Sequence, residues 1–115
     1  MVYKYRGTAE TRGGKALTVA PNYFIFMDGR LWNAKTSKWM NSSISKNTRG
    51  PVYQITVGEN RLQVNMDRIV MSYFHTDAKK VRYHTIEHID GDPENCHITN
   101  LRLSRVRNGL SRAWV

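Results

Sequence analysis

The sequence predicts an α+β fold of antiparallel β hairpins with a short helix, and three patterns lead to it. An apolar run, Tyr23-Phe24-Ile25-Phe26-Met27, is closed by Asp28-Gly29 and answered by Arg30-Leu31-Trp32-Asn33-Ala34. Val52-Tyr53-Gln54-Ile55-Thr56-Val57 and Arg61-Leu62-Gln63-Val64-Asn65-Met66 each alternate apolar and polar residues across a Gly58-Glu59-Asn60 turn. Such alternation puts one face of a strand in a core and the other in water. Behind Asp67, the residues Ile69, Val70, Tyr73 and Phe74 fall at helical spacing.

Each element follows in turn. Residues 1–20 carry Arg6, Arg12 and Lys15 among Gly7, Gly13 and Gly14, which reads as a flexible basic arm with a short strand at Ala16 to Ala20. Asp28-Gly29 is a two-residue hairpin signal, because a tight turn needs the positive φ that glycine supplies. Lys38-Trp39-Met40 adds a short strand, and the two alternating runs make a meander. Asp67 is placed to cap the helix over Arg68 to Phe74. Residues 21–80 therefore form a β-rich module. A polar connection from His75 leads to a further strand near Tyr83 to His88.

With 115 residues the chain is read as one domain with a core of limited size. Eighteen Lys and Arg against nine Asp and Glu give a net charge of +9, the balance of a protein that meets polyphosphate. A ribosomal-type or merely soluble basic protein has the same balance. The one cysteine cannot form an internal disulfide, and no Cys-x-x-Cys pair offers a structural zinc. No stretch of eighteen apolar residues occurs and the first residues lack an apolar core, so neither membrane span nor signal peptide is expected.

Residues 87–101, Glu-His-Ile-Asp-Gly-Asp-Pro-Glu-Asn-Cys-His-Ile-Thr-Asn-Leu, carry the chemistry. Histidine near neutral pKa can take a proton from water, and a carboxylate can hold a hard divalent cation. Glu87 and His88 are adjacent, so on an extended strand they point to opposite faces unless the strand ends or bulges between them. Asp90-Gly91-Asp92-Pro93 reads as a tight turn. Asn100 offers a donor and an acceptor, which suits it to tying a loop across its own backbone.

The stretch His88-Ile89-Asp90-Gly91-Asp92, then Asn95, then Asn100-Leu101-Arg102, resembles the core of HNH nucleases, above all the homing endonucleases of phages and their introns. The order of aromatic strand, turn, hairpin and helix upstream is similar to the modular DNA-binding segment found before such cores, and the two resemblances together span about residues 21–108. The resemblance implies a ββα-metal finger over residues 81–115, with a second strand near Leu101 to Ser104 and a helix from about Arg105. It implies one Mg²⁺ or Mn²⁺ ion, with Glu87 and Asn108 as ligands, His88 as the base that activates water, and Asn100 as the brace of the loop. The activity implied is metal-dependent hydrolysis of a DNA phosphodiester, nicking one strand, by a monomer rather than a dimer. The partner implied is double-stranded DNA. The compartment implied is the cytoplasm of a bacterial host, and the source implied is a phage.

The chain departs from that pattern at three points. The acid before the histidine is usually Asp, and Glu87 is one methylene longer. The usual Asn-Asn pair of the loop is Asn95-Cys96 here. The helix ligand usually falls at the position of Gly109, whereas Asn108 precedes it, a rotation of about 100° on a helix. Shortening the turn between Leu103 and Arg107 by one residue would compensate.

Arg102, Arg105, Arg107 and Arg112 surround the proposed site as phosphate clamps or as a solvated face. Arg61, Gln63 and Asn65 share one strand face, which either reads bases or is simply the outer side of a half-buried sheet. His84 and His88 have zinc-helix spacing, which Gly91 and Pro93 oppose. His97 is a ligand or a solvated loop residue. Trp32, Trp39 and Trp114 are packing residues or base-stacking platforms. Two other functions share these features: a DNA-binding protein that has lost catalysis, and a protein-binding factor that uses the finger as a scaffold.

Overall fold

The computed structural model describes residues 11–44 and 50–106. Within them the architecture is α+β: three antiparallel sheets around one α-helix. Strands β1 (Lys15–Ala16), β2 (Tyr23–Ile25), β3 (Leu31–Asn33) and β4 (Lys38–Trp39) form a four-stranded sheet in that order. Strands β5 (Val52–Val57) and β6 (Asn60–Asn65) form a hairpin, helix α1 (Met66–Phe74) follows at once, and β7 (His84–His88) pairs with β8 (Leu101–Val106).

The alternation read from β5 and β6 sets which side is buried. Tyr53, Ile55 and Val64 face the core, while Gln54, Thr56, Arg61, Gln63 and Asn65 are exposed. Gly58 takes φ +62° at the turn, and Val57 pairs with Asn60, so the connection is a two-residue loop that glycine makes accessible.

The other hairpin differs from its expected two-residue turn. Gly29 N donates to Phe26 O at 3.0 Å and Phe26 N to Arg30 O at 3.0 Å, with Gly29 at φ +96°. This is a three-residue loop whose last residue is the glycine of a bulge. The extra residue turns the tip toward the rest of the molecule. Tyr53 Oη donates to Gly29 O at 2.7 Å, and Ile98 N to Met27 O at 2.8 Å. One turn thereby joins the first sheet, the second hairpin and the segment ahead of β8.

Residues 11–20 are not a free arm. Thr11, Leu17 and Ala20 are buried, and β1 pairs with β2. Lys15 Nζ donates to Tyr73 O at 2.8 Å and Thr18 N to Tyr73 Oη at 2.8 Å, so this segment is laced to α1. The expected strand at Ala16 to Ala20 is shorter and begins one residue earlier. The glycines carried their usual loop meaning, but Leu17, three residues after Gly14, buries its side chain.

The main core gathers Leu17, Tyr23, Ile25 and Leu31 of the first sheet, Ile55 and Val64 of the hairpin, Ile69, Val70 and Met71 of α1, and Cys96 and Leu101 of the last segment. A satellite cluster of Phe24, Phe26 and Trp32 lies on the outer side of the first sheet. Trp39 meets Trp32 edge-on at 4.9 Å, and Arg30 lies over the Trp39 ring at 4.6 Å. Trp32 is a packing residue, while Trp39 is partly exposed beneath an arginine. Trp114 lies outside the described residues.

Gly29 is the position where this design is most constrained. A Cβ there would sit 2.8 Å from Met66 Sδ, on a φ that L residues rarely adopt. Gly29→Ala is expected to lower stability by about 2 kcal/mol, through backbone strain and crowding at the start of α1. Urea unfolding monitored by tryptophan fluorescence checks this, and an unchanged midpoint would contradict it.

Candidate active site

The site is assembled where β7, the loop after it and α1 meet. On β7 the side chains alternate, and the register Ile86 to Leu103, Glu87 to Arg102 and His88 to Leu101 assigns them to two faces. Ile86 and His88 share the face of Leu101 and Leu103, all of which look toward the core. Glu87 and Arg102 share the other. The adjacent acid and histidine are therefore separated by the pleat.

His88 is held at both ring nitrogens. Its Nδ1 lies 3.1 Å from the carbonyl oxygen of Asn95 and its Nε2 lies 3.1 Å from Asp67 Oδ2. The side chain of His88 is 13% exposed and that of Asp67 26%. A carbonyl can only accept, so Nδ1 carries the hydrogen in the first of these bonds.

The loop that presents the Asn95 carbonyl is bound by Asn100. Asn100 Nδ2 donates to Asn95 O at 2.9 Å and to Asp90 Oδ1 at 2.9 Å, while its Oδ1 accepts from Asp90 N at 3.1 Å. Asn95 Nδ2 donates to Asp90 Oδ2 at 2.8 Å, and Asp92 N to Asp90 Oδ1 at 2.8 Å. Gly91 at φ +78° makes the turn between them. The side chain expected to brace the loop thus closes it at both ends. Cys96, in the place of a second asparagine, is buried against Gly29 and donates its thiol to Pro93 O at 3.5 Å. Burial, followed by the nearby Asp67 and Asp92 charges, pushes that thiol up to about 12, so it is a core residue rather than a nucleophile.

Asp67 is the residue that sequence reasoning missed. Expected as a helix cap, it lies in the first turn of α1, whose N-cap is Asn65 without a side-chain cap bond. The helix begins directly where β6 ends, so no capping loop is needed and the Asp67 carboxylate is free to turn to His88. Its neighbour Arg68 fixes the helix there. Buried to 7% exposure, Arg68 donates to Val81 O at 2.9 Å and to His84 O at 2.7 Å, tying α1 to the 3-10 turn Ala78–Tyr83 and to the start of β7. Twenty-one residues separate Asp67 from His88, and no spacing rule links them. The only sequence signal is an arginine inside an apolar helix face.

Glu87, expected as a metal ligand, accepts from Arg102 Nη2 at 2.6 Å. That bond raises the Arg102 guanidinium above its ordinary value. Arg102 is thus engaged by a carboxylate. Arg105 is exposed on β8, with its amide donating to Thr85 Oγ1 at 3.1 Å. Asn108, Arg107 and Arg112 lie outside the described residues. Among the described residues no three His, Cys, Asp or Glu side chains group to hold a metal ion.

The end of β8 also departs from expectation. The strand continues to Val106, so no helix begins at Arg105. His84 pairs with Val106 and Ile86 with Leu103, two steps on one strand against three on the other. This is a bulge carrying one residue too many, whereas the position of Asn108 called for one residue fewer. His84 and His88 lie on β7 rather than on a zinc helix. His97 caps the 3-10 turn Ile98–Asn100 by accepting from Thr99 N at 3.2 Å.

Arg61, Gln63 and Asn65 do share an exposed face, in register with Thr56, Gln54 and Val52. Gln54 Nε2 donates to Gln63 Oε1 at 3.2 Å across the pair. The face is polar, solvated and basic at one end. Among the described residues no helix is long and apolar enough to cross a membrane.

The arrangement of sheets, helix and final hairpin is shared with an HNH homing endonuclease. That protein is I-HmuI, whose structure concerns DNA binding and cleavage; the match covers 78% of this chain and 51% of that one, with a TM-score of 0.65 and 20% identity. The likeness is one of fold, and the chain spans about half the length of I-HmuI. No protein-family model matches the chain, and no curated protein does.

The loop's own charge gives a pH test. Donation from Asn95, then from the Asp92 amide and Asn100, holds the Asp90 carboxyl below its ordinary value of 3.8. The ionised form is the bonded one, so the brace is at full strength above the ordinary aspartate range and is lost as pH falls through the depressed folded value. Carboxyl chemical shifts should show Asp90 titrating below an unperturbed aspartate, and Asn100→Ala should move the midpoint upward. A midpoint unaffected by Asn100→Ala would mean that the brace does not act on Asp90.

Proposed function

We propose that this chain is a DNA endonuclease of the HNH homing type, hydrolysing one phosphodiester and nicking one strand of double-stranded DNA as a monomer. The observation that carries the reading is the fixed imidazole: Nδ1 of His88 is pinned by Asn95 O, so the lone pair of the neutral ring belongs to Nε2. A base whose tautomer is set by a backbone carbonyl is suited to removing a proton from water in line with a phosphorus. Asn100 would keep that carbonyl in place throughout. A scaffold shared with I-HmuI supports DNA as the substrate.

The cofactor proposed is one Mg²⁺ or Mn²⁺ ion, with Glu87 and Asn108 as its ligands. When bound, such an ion supplies charge stabilisation on the leaving oxygen. For this chain's own residues the requirement is that Glu87 give up Arg102, which would then be released toward a phosphate oxygen. Arg105, Arg107 and Arg112 would add phosphate contacts, and Arg61, Gln63 and Asn65 would read the groove from the β6 face. The proposed setting is the cytoplasm of a bacterial host, with a phage as the source.

A second reading is DNA binding without cleavage. Two observations favour it: the Glu87 to Arg102 bond, and the bulge that carries the end of β8 away from the register Asn108 needs.

Supercoiled plasmid separates the two readings. With Mg²⁺ or Mn²⁺ the chain should convert it to nicked circles, and His88→Ala should slow that conversion by about a hundredfold or more while DNA binding persists. Equal rates for the two proteins would remove His88 as the base. A gel shift in EDTA without any nicking under either metal would select the second reading. Arg61→Ala should weaken binding and flatten its salt dependence by about one unit of slope, measured by fluorescence anisotropy across a salt series. An unchanged slope would take Arg61 off the interface.

A further inference from the structure

Both ring nitrogens of His88 are occupied, and only one of the two bonds suits a base. The Nδ1 bond to Asn95 O orients the ring and leaves the lone pair on Nε2. That same Nε2 faces Asp67 Oδ2 at 3.1 Å. A carboxylate also accepts, so this bond exists only while a proton is held between the two atoms, and while it is held Nε2 has no lone pair open to a water. The contact is built rather than casual. Arg68, the next residue, is buried and holds α1 to Val81 O and His84 O, which fixes Asp67 relative to the first residue of β7.

We propose that Asp67 is a positioning residue that keeps the Nε2 side of His88 closed in the DNA-free chain. The inference rests on the endonuclease reading and assigns that site a control. Asp67 is more exposed than the ring it covers, so it lies on the solvent side of Nε2. An approaching phosphate repels the carboxylate. Rotation of one side chain on the first turn of α1 then exposes Nε2, and once the proton held between the two groups has passed to solvent the neutral ring, still pinned through Nδ1, presents its lone pair. The helix need not move, because the Asp67 carboxylate is bonded to His88 on another segment.

The test compares single-turnover nicking of supercoiled plasmid by the parent, Asp67→Ala, Asp67→Asn and Asp67→Ala combined with His88→Ala, all as the full chain. Asp67→Ala should nick faster by about tenfold or more, the value of one charge-assisted hydrogen bond. Asp67→Asn should stay slow, because its amide can donate to the Nε2 lone pair and occupy it. The double variant should fall to the rate of His88→Ala. Asp67→Ala that is slower than the parent, or equal to it, overturns the proposal, and Asn as fast as Ala reduces the effect to charge repulsion and overturns the closure.

A second readout does not depend on cutting. Diethyl pyrocarbonate attacks an open imidazole lone pair, and peptide mass mapping can follow His88 against the other three histidines. His88 should be protected in the parent and modified faster in Asp67→Ala, with the other histidines unchanged. Equal modification in both proteins overturns the closure. If no protein nicks DNA under either metal while this difference is present, the endonuclease reading fails and the closure stands.

Discussion

The carbonyl oxygen of Asn95 is the atom on which the site depends. It accepts from His88 Nδ1 and from Asn100 Nδ2 together, so the imidazole and the loop are set by one acceptor. Two lone pairs make this double acceptance unstrained. The consequence is that the loop's shape and the ring's tautomer are not independent variables. Any change that lets residues 90–100 relax also changes which nitrogen of His88 bears the hydrogen.

That acceptor is itself held by structure outside the β7–β8 hairpin and its loop. Ile98 N reaches back to Met27 O, Tyr53 Oη donates to Gly29 O, and Cys96 is buried beside the same turn. Arg68 does the equivalent on the other side, by tying α1 to the strand that carries His88. The upstream sheets therefore do more than present a polar face. They set the distance between Asp67 and His88, a pair drawn from two segments that the sequence treats as separate modules.

Local pattern made much of this legible. The alternation of Val52 to Val57 and Arg61 to Asn65 gave the hairpin, its buried face and its turn. The adjacency of Glu87 and His88 predicted opposite faces on an extended strand, but the turn behind them reads as a strand end that would let both reach one site. Instead β7 runs through His88, and its pleat keeps them apart. Asn100 was read as the residue that ties the loop, and its bonds run between Asp90 and Asn95. What escaped was set by contacts distant in sequence. Leu17 sits among glycines and basic residues, and only the packing of β1 on β2 shows that residues 11–20 belong to the core. Asp67 reads as a cap because composition cannot reveal that β6 runs straight into α1. The bulge opposite Thr85 is a property of strand pairing, and no spacing in Leu103 to Val106 announces it.

The two acids near His88 illustrate why residue type alone does not assign a role. Glu87 is next to it in sequence and is taken up by Arg102 on the far face of the strand. Asp67 is remote in sequence and touches the ring. A nuclease reading of this scaffold therefore turns on how the imidazole is held. The measurement that tests this most directly is a long-range ¹H–¹⁵N spectrum of the histidine side chains in the full chain. The account predicts that Nδ1 of His88 bears a hydrogen that exchanges slowly with water and becomes labile in Asn100→Ala. A bare Nδ1, or one whose hydrogen is indifferent to Asn100, would contradict it.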